Sequence, residues 1–400
     1  MTTPGPPQPQ AREEPYAVWE ATLAEVAATG GTALLLGATD VGKTTFTRLL
    51  VNHAAQAGRR VALLDADLGQ SEIGPPTCVG LAFVEAPVAA LSGLPPHALA
   101  FVGSTSPSGH LVEYLAAIGR LAAMAHAEFR VPGPEAEGCP PVSTASCPPP
   151  PDQAAPQSAR PLMLIDTSGY VHGAARSLYQ AVFDLLVPAH VVALQRHGEL
   201  EPILVPMRRR EGCRIHTPPI PAVIQKKPPR LRAQRRAMRF AAYFQDAQPH
   251  TYSFDEVAFL GTWMGSGKPI AAHLLKFLNQ TLGPQVRVYY AEMAGRQLGL
   301  MVSQPIPPHA PGLGLAQEQL KAQAVSITVA PRLKHLLLGL EGASGKLLGL
   351  GLLEALDFRR RTLGIVTPLR APGAARVLRF GSLRVAPDGT EIGTLKPGEL

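Results

Sequence analysis

A short apolar run, Thr32 to Leu36, leads directly into Gly37-Ala-Thr-Asp-Val-Gly42-Lys43-Thr44, and Thr44 to Ala57 then follows with helical character. A continuous apolar run of this length reads as a strand buried on both faces of a parallel sheet. The pattern G-x-x-x-x-G-K-[ST] between a strand and a helix is a phosphate-binding loop. Its glycines let the backbone wrap closely around phosphates, and the loop N–H groups and the helix N-terminus supply positive potential. The nucleotide-binding set is Gly37, Ala38, Thr39, Asp40, Val41, Gly42, Lys43, Thr44 and Thr45, with Lys43 reaching the β- and γ-phosphates and the Thr44 hydroxyl on Mg²⁺. A second glycine-rich stretch, Gly261 to Lys268, fails the pattern. Its glycines are one residue too far apart and Pro269 replaces the hydroxyl residue, so it reads as a loop.

Further strands alternate with helices. Arg60–Leu64 ends in Asp65, Ala98–Val102 is a third strand, Leu162–Ile165 ends in Asp166, and Val191–Leu194 follows a helix over Ser177–Leu186. Tyr16–Thr29 and Leu111–Phe129 also read as helical. The fold class is therefore α/β: a doubly wound, mostly parallel sheet of the P-loop NTPase type. After about Asp246 short strands separated by Gly-rich turns predict a smaller β-rich C-terminal domain, including His335–Leu340, Leu347–Ala355, Thr362–Val366 and Arg376–Phe380. The expected organisation is a Pro-rich disordered tail over 1–14, a P-loop domain over 15–246 and a C-terminal domain over 247–400. The P-loop domain carries a disordered Pro-rich insertion at 131–160 and a basic helix at 226–244.

Composition narrows the class. Hydrophobic residues make up 46% and charged residues 17%, a globular balance. No apolar run approaches the ~18–20 residues of a membrane span, and the first residues lack the apolar segment of a secretory signal. Four cysteines, Cys78, Cys139, Cys147 and Cys213, are too scattered for a disulfide framework. A cytoplasmic protein without membrane association is expected. The net charge of +7 is local: Met207 to Phe240 holds eleven Lys or Arg residues against one acid, Glu211, which suits a polyanionic partner.

Two more segments carry chemistry. Asp65-Ala-Asp67-Leu-Gly69-Gln70 ends a strand expected to lie next to the P-loop strand, so two carboxylates reach the phosphates. One can hold the metal through its waters and the other can accept a proton from an attacking hydroxyl. A plain loop-capping role for Asp67 and Gln70 is the competing use. Asp166-Thr167-Ser168-Gly169-Tyr170 has the D-x-x-G form of a γ-phosphate-sensing turn. Thr167 can hold the triphosphate in line, and Tyr170 offers either a base-stacking ring or a packing aromatic. Arg232, Arg235 or Arg236, and Arg239 share one helix face, as a phosphate-neutralising lid or a nucleic-acid contact would.

Taken in order, these segments resemble the P-loop polynucleotide 5′-hydroxyl kinases, a family that includes the kinase-like subunit of the eukaryotic mRNA 3′-end cleavage complex and shorter prokaryotic relatives. The likeness covers Gly37–Thr45, Asp65–Gln70 with Gly74-Pro75-Pro76, Phe101-Val-Gly-Ser-Thr-Ser-Pro107-Ser-Gly-His110, Asp166–Gly173, and the basic run ending at Tyr243-Phe244. It continues more weakly through Leu347–Gly351 and Asp357-Phe358. It implies ATP and Mg²⁺ as cofactors and the 5′-hydroxyl end of RNA or DNA as acceptor. By the same resemblance Asp67 is the catalytic carboxylate, Thr167 a clasp on the triphosphate, and Arg232, Arg236 and Arg239 the lid. Gln70, Ser104, Thr105 and Tyr170 serve the substrate, and Thr44 and Asp65 the metal. Eukaryotic members usually carry Asn-Thr-x-Gly-Trp where this chain has Asp166 and Tyr170, and their N-terminal β-domain has no counterpart before Gly37. An NTPase that drives assembly and a nucleotide-gated RNA-binding scaffold are the alternative functions.

Overall fold

The computed structural model describes residues 14–130, 160–307, 309–396 and 398–400. Apart from Glu14 and Arg160, the expected Pro-rich tail and insertion lie outside these residues, as do Cys139 and Cys147.

The chain divides into two compact units. The first comprises residues 1–74, 78–100 and 106–229. Its sheet contains β1 (Gly31–Gly37), β2 (Val61–Ala66), β3 (Cys78–Val84), β4 (Ala98–Phe101), β5 (Leu162–Thr167), β6 (His190–Leu194) and β7 (Arg214–His216). The order across the sheet is β4-β3-β2-β5-β1-β6-β7. The neighbours β2/β5, β5/β1, β1/β6 and β6/β7 run parallel, whereas β2/β3 is antiparallel. The helices are α1 (Glu20–Thr29), α2 (Lys43–Gln56), α3 (Leu111–Arg130), α4 (Ala175–Leu186) and α5 (Glu201–Met207).

This is the expected α/β fold with one correction of order. The Asp65 strand does not adjoin the P-loop strand, because β5 lies between them. β3, which the sequence reading passed over, extends the sheet on the far side of β2. Strands β2 and β5 are buried along their whole length, as is β1 beyond Gly31. That is why they read as unbroken apolar runs rather than alternating ones. Trp19, Phe46, Leu50 and Leu35 anchor the core on one side of this sheet.

The second unit comprises residues 75–77, 101–105 and 230–400. Its largest sheet is built mainly from antiparallel strands and includes Leu336–Gly342, Leu347–Asp357, Thr362–Thr367 and Ala375–Val385. All four correspond to strands expected from the sequence. A further four-stranded sheet is formed by Lys268–Pro269, Val288–Ala294, Gln297–Val302 and Ala324–Val329, with helices Ala272–Thr281 and Pro311–Leu320 between these strands in sequence. The basic helix α6 runs Pro229–Phe244, shorter than the expected 226–244, because Pro228-Pro229 can only precede or open a helix. It groups with the second unit rather than with the P-loop domain over 15–246. Phe240 and Phe244 are buried, and the Tyr243 hydroxyl accepts the Leu350 N–H at 2.8 Å.

Candidate active site

The P-loop turns between β1 and α2. Gly42 caps the helix at φ +95°, and Asp40 sits at φ +59°. Gly37 leaves no room for a side chain: a Cβ there would stand 2.6 Å from Val41 Cγ2 and 2.9 Å from the Leu194 carbonyl oxygen. Lys43 is buried, and its ammonium donates to the carbonyls of Gly37 and Ala38, each at 2.9 Å. Thr44 and Thr45 follow in the first turn of α2, both half-buried. Trp19 and Ile224 pack against Gly42, Trp19 Nε1 donates to the Pro219 carbonyl at 2.8 Å, and the Lys227 N–H donates to Asp40 Oδ2 at 3.1 Å. Residues 219–227 are thus pinned to the outside of the loop, a feature with no local signature in the sequence.

Strand β5 brings the D-x-x-G turn against the P-loop. In register, Asp166 pairs with both Leu35 of β1 and Asp65 of β2. A Cβ on Gly169 would lie 2.4 Å from Thr39 Cγ2, so the turn's glycine is required by direct packing on the loop. Asp166 is buried. Its Oδ2 accepts from the Thr47 hydroxyl of α2 at 3.0 Å, while Oδ1 has no hydrogen-bond partner among the described residues. Burial pushes its carboxyl up to about 8 against the pull of Lys43, with Asp65 and Asp67 adding to the rise.

The two aspartates of the β2 loop divide their work differently from expectation. Asp65 is buried, and its oxygens accept the N–H groups of Asp67 and Ile73 at 3.2 and 2.9 Å, the Ser71 hydroxyl at 3.2 Å and the Glu72 N–H. Both oxygens are spent on shaping the loop, so the expected role as metal carboxylate does not match its geometry. Burial raises its carboxyl to about 7 despite these bonds. Asp67 is half-buried, and its Oδ1 accepts the Gly69 and Gln70 N–H groups at 3.0 Å each. The loop-capping use is therefore real, and it fixes the carboxylate in place. Gln70 turns back to the Gly69 carbonyl at 2.7 Å.

Thr167 is fully buried and donates to the Leu35 carbonyl at 2.7 Å, joining β5 to β1. The threonine expected on the triphosphate thus has its hydroxyl engaged by the sheet. Thr167→Val is expected to cost about 1 kcal/mol in a urea unfolding titration, with Thr167→Ser restoring it. Tyr170 is half-buried, and its hydroxyl accepts the Ala174 N–H at 3.1 Å, holding the ring within its own turn.

Two further residues shape the site and were not singled out from the sequence. The Tyr114 hydroxyl of α3 donates to the Ala66 carbonyl at 2.9 Å and accepts the Ser168 N–H at 3.3 Å, tying the β2 and β5 ends together. The Tyr179 hydroxyl of α4 donates to the Ser168 carbonyl at 3.1 Å. Both are buried, on helix faces whose periodicity reads simply as core.

The first unit thus brings together Lys43, Thr44, Thr45, Asp65, Asp67, Gln70, Asp166, Thr167 and Tyr170. Arg232, Arg236, Arg239, Ser104 and Thr105 belong to the second unit. Arg236 pairs with Glu391, including an Nη2–Oε2 contact of 3.1 Å. In the first unit Arg208 pairs with Glu201, Arg210 with Asp184 and Arg214 with Glu25. The basic run is therefore divided between the units and partly neutralised.

A sequence profile described as the P-loop of mRNA cleavage and polyadenylation factor CLP1 matches residues 37–138 and 152–246. A polyribonucleotide 5′-hydroxyl-kinase of Pyrococcus horikoshii is 28% identical over 367 residues, 91% of this chain and 88% of that protein. Its namesake in Methanocaldococcus jannaschii is 26% identical over 367 residues, 90% of this chain and 89% of that protein. A CLP1 homolog of Drosophila persimilis is 38% identical over 95 residues, 23% of this chain and 22% of the homolog. The solved structure of wild-type Clp1p with Pcf11p superposes with a TM-score of 0.54 at 13% identity, over 92% of this chain and 79% of that one, a likeness of fold.

Proposed function

We propose that this chain, a member of the CLP1 P-loop family through residues 37–138 and 152–246, transfers the γ-phosphate of ATP to the 5′-hydroxyl end of a polynucleotide. The observation that carries this reading is the meeting of three elements at the ends of the neighbouring strands β1, β5 and β2. They are a P-loop with a buried lysine, a D-x-x-G turn packed on it, and a fixed carboxylate at Asp67. A plain nucleotide hydrolase needs the first two. The third supplies a base or orienting group for an acceptor hydroxyl. Nearly full-length relatives named polyribonucleotide 5′-hydroxyl-kinase point the same way.

The residues have separable tasks. The Lys43 ammonium exchanges its carbonyl partners for phosphate oxygens, and the N–H groups of 38–45 wrap the β-phosphate. Asp67, held by Gly69 and Gln70, aligns the attacking hydroxyl and takes its proton. Mg²⁺ fits the hydroxyl of Thr44 together with the orphaned Oδ1 of Asp166, which is the better carboxylate for its hydration shell than the fully committed Asp65. A divalent ion there would supply charge neutralisation on the phosphoryl oxygens. Thr167 acts as a positioning residue through Leu35.

The test follows γ-labelled ATP into short 5′-hydroxyl oligonucleotides, RNA and DNA side by side. The expected result is label on the 5′ end. Release of labelled phosphate without transfer would favour the hydrolase, and neither would favour the scaffold. Among the described residues no helix is long and apolar enough to cross a membrane.

A further inference from the structure

The second unit contains a cavity of about 1120 Å³ between residues 269–290 and 330–361. It exceeds the roughly 300–1,000 Å³ of ordinary small-molecule sites. Its walls combine two chemistries. Lys276, Arg287, Lys334, Arg359 and Arg361 line it, all exposed. Against them stand only Glu354 and Asp357. Asp357 is partly answered already, since it accepts the Arg359 and Arg360 N–H groups at 3.0 Å each. Arg361 is paired with Asp255 at 2.8 Å. Arg359 also acts on the Asp357 carboxylate, whereas Lys276 and Lys334 have no acidic side-chain partner among the described residues.

The second chemistry is aromatic. Tyr289, Tyr290 and Phe358 also line the cavity. Phe358 stacks on Tyr290 at 4.9 Å and 12°, and Tyr290 on Trp263 at 6.3 Å and 11°. The column is rigidly held. Trp263 Nε1 donates to Thr328 Oγ1 at 2.8 Å, and the Tyr290 hydroxyl donates to Glu292 Oε2 at 2.7 Å. Glu292 is in turn cradled by the N–H groups of Gly265, Ser266 and Gly267 at 3.0–3.1 Å. The charge of Glu292 is thus absorbed before it reaches the cavity. Tyr289 is 39% exposed and carries Arg287 over its ring at 5.7 Å.

Flat rings and unpaired cations in the walls of one large cavity suit a chain of bases and phosphates better than one small anion. The geometry points to a second polynucleotide-binding site in this cavity, taking a single-stranded segment by base stacking on Tyr289 and Phe358, the latter backed by Tyr290, and by phosphate contacts from Lys276 and Lys334. This rests on the kinase reading above for its biological use, but its test does not need turnover.

Fluorescence anisotropy would follow a single strand of about twenty nucleotides that already carries a 5′-phosphate, titrated onto the full chain over a range of NaCl concentrations. Lys276→Glu/Lys334→Glu is expected to weaken binding about tenfold or more. It should also flatten the log–log salt slope by about 1.4, the loss of two phosphate contacts on a single strand. Tyr289→Ala is expected to weaken binding about tenfold with the salt slope retained, since stacking releases no counterions. Unchanged thermal midpoints separate these effects from misfolding. Shortening the strand locates the length at which the variants and the wild type converge. Wild-type affinity and slope in both variants would overturn the proposal while leaving the kinase reading standing. A mononucleotide binding as tightly as the long strand would also overturn it, in favour of a small-ligand site. Failure of label transfer with the variant effects intact would sink the kinase reading and leave the cavity assigned.

Discussion

Lys43→Ala is expected to reduce label transfer from ATP by at least about 10²–10³-fold in kcat, the cost of removing one preorganised donor from a developing charge. The geometry adds a second cost. Lys43 is the main group holding down the Asp166 carboxyl, which burial has already raised to about 8. Without the ammonium that carboxyl titrates higher still, and the residual activity should peak at a more alkaline pH than in wild type. Lys43→Arg should recover little, because a planar fork cannot reproduce a point charge seated on the carbonyls of Gly37 and Ala38. Steady-state kinetics across pH 6–9 in the three proteins checks this, and residual transfer within threefold of wild type would remove Lys43 from the reaction.

Asp166→Asn should separate function from stability. In the folded chain the Asp166 carboxyl sits at about 8 against a usual 3.8, with burial the leading cause. The folded state therefore holds that proton more tightly than the unfolded chain does. Its contribution to stability is complete below about pH 4 and is lost as pH rises through 8. An amide keeps the neutral shape at every pH. The variant should match wild type near pH 4 and exceed it at pH 8, read as a higher Tm. Asp65, raised to about 7, has the same sign and leaves a smaller pH slope in the variant. Transfer should fall by about 10–100-fold, as for loss of an outer-shell metal contact. A stability gap between variant and wild type that does not widen from pH 4 to pH 8 would show that the folded chain holds no extra proton at Asp166.

Much of this was legible in the residues. The run Thr32–Leu36 and the motif after it specify strand, loop and helix together, because burial on both faces and the glycine spacing are local properties. The strands of the second unit at 336–385 were readable from their turns. Sheet order was not. Nothing in Asp65 or Asp166 says which of their strands adjoins β1, since the choice depends on crossover connections and helix packing. The same holds for side-chain commitments. Asp65 and Asp67 look alike in sequence, but one is spent on its loop and the other only half so. Tyr114 and Tyr179 escaped notice because their hydroxyls bond residues 48 and 11 positions away, beyond any local pattern.

The loop at Gly265–Gly267 bears on stoichiometry. It has the glycines and inward N–H groups of an anion cradle, but Glu292, one of the chain's own carboxylates, is seated in it. A nucleotide would have to displace a covalently tethered competitor at very high effective concentration. Equilibrium dialysis should therefore count a single triphosphate per polypeptide, at Gly37–Thr44, whatever resemblance the second glycine stretch bears on paper.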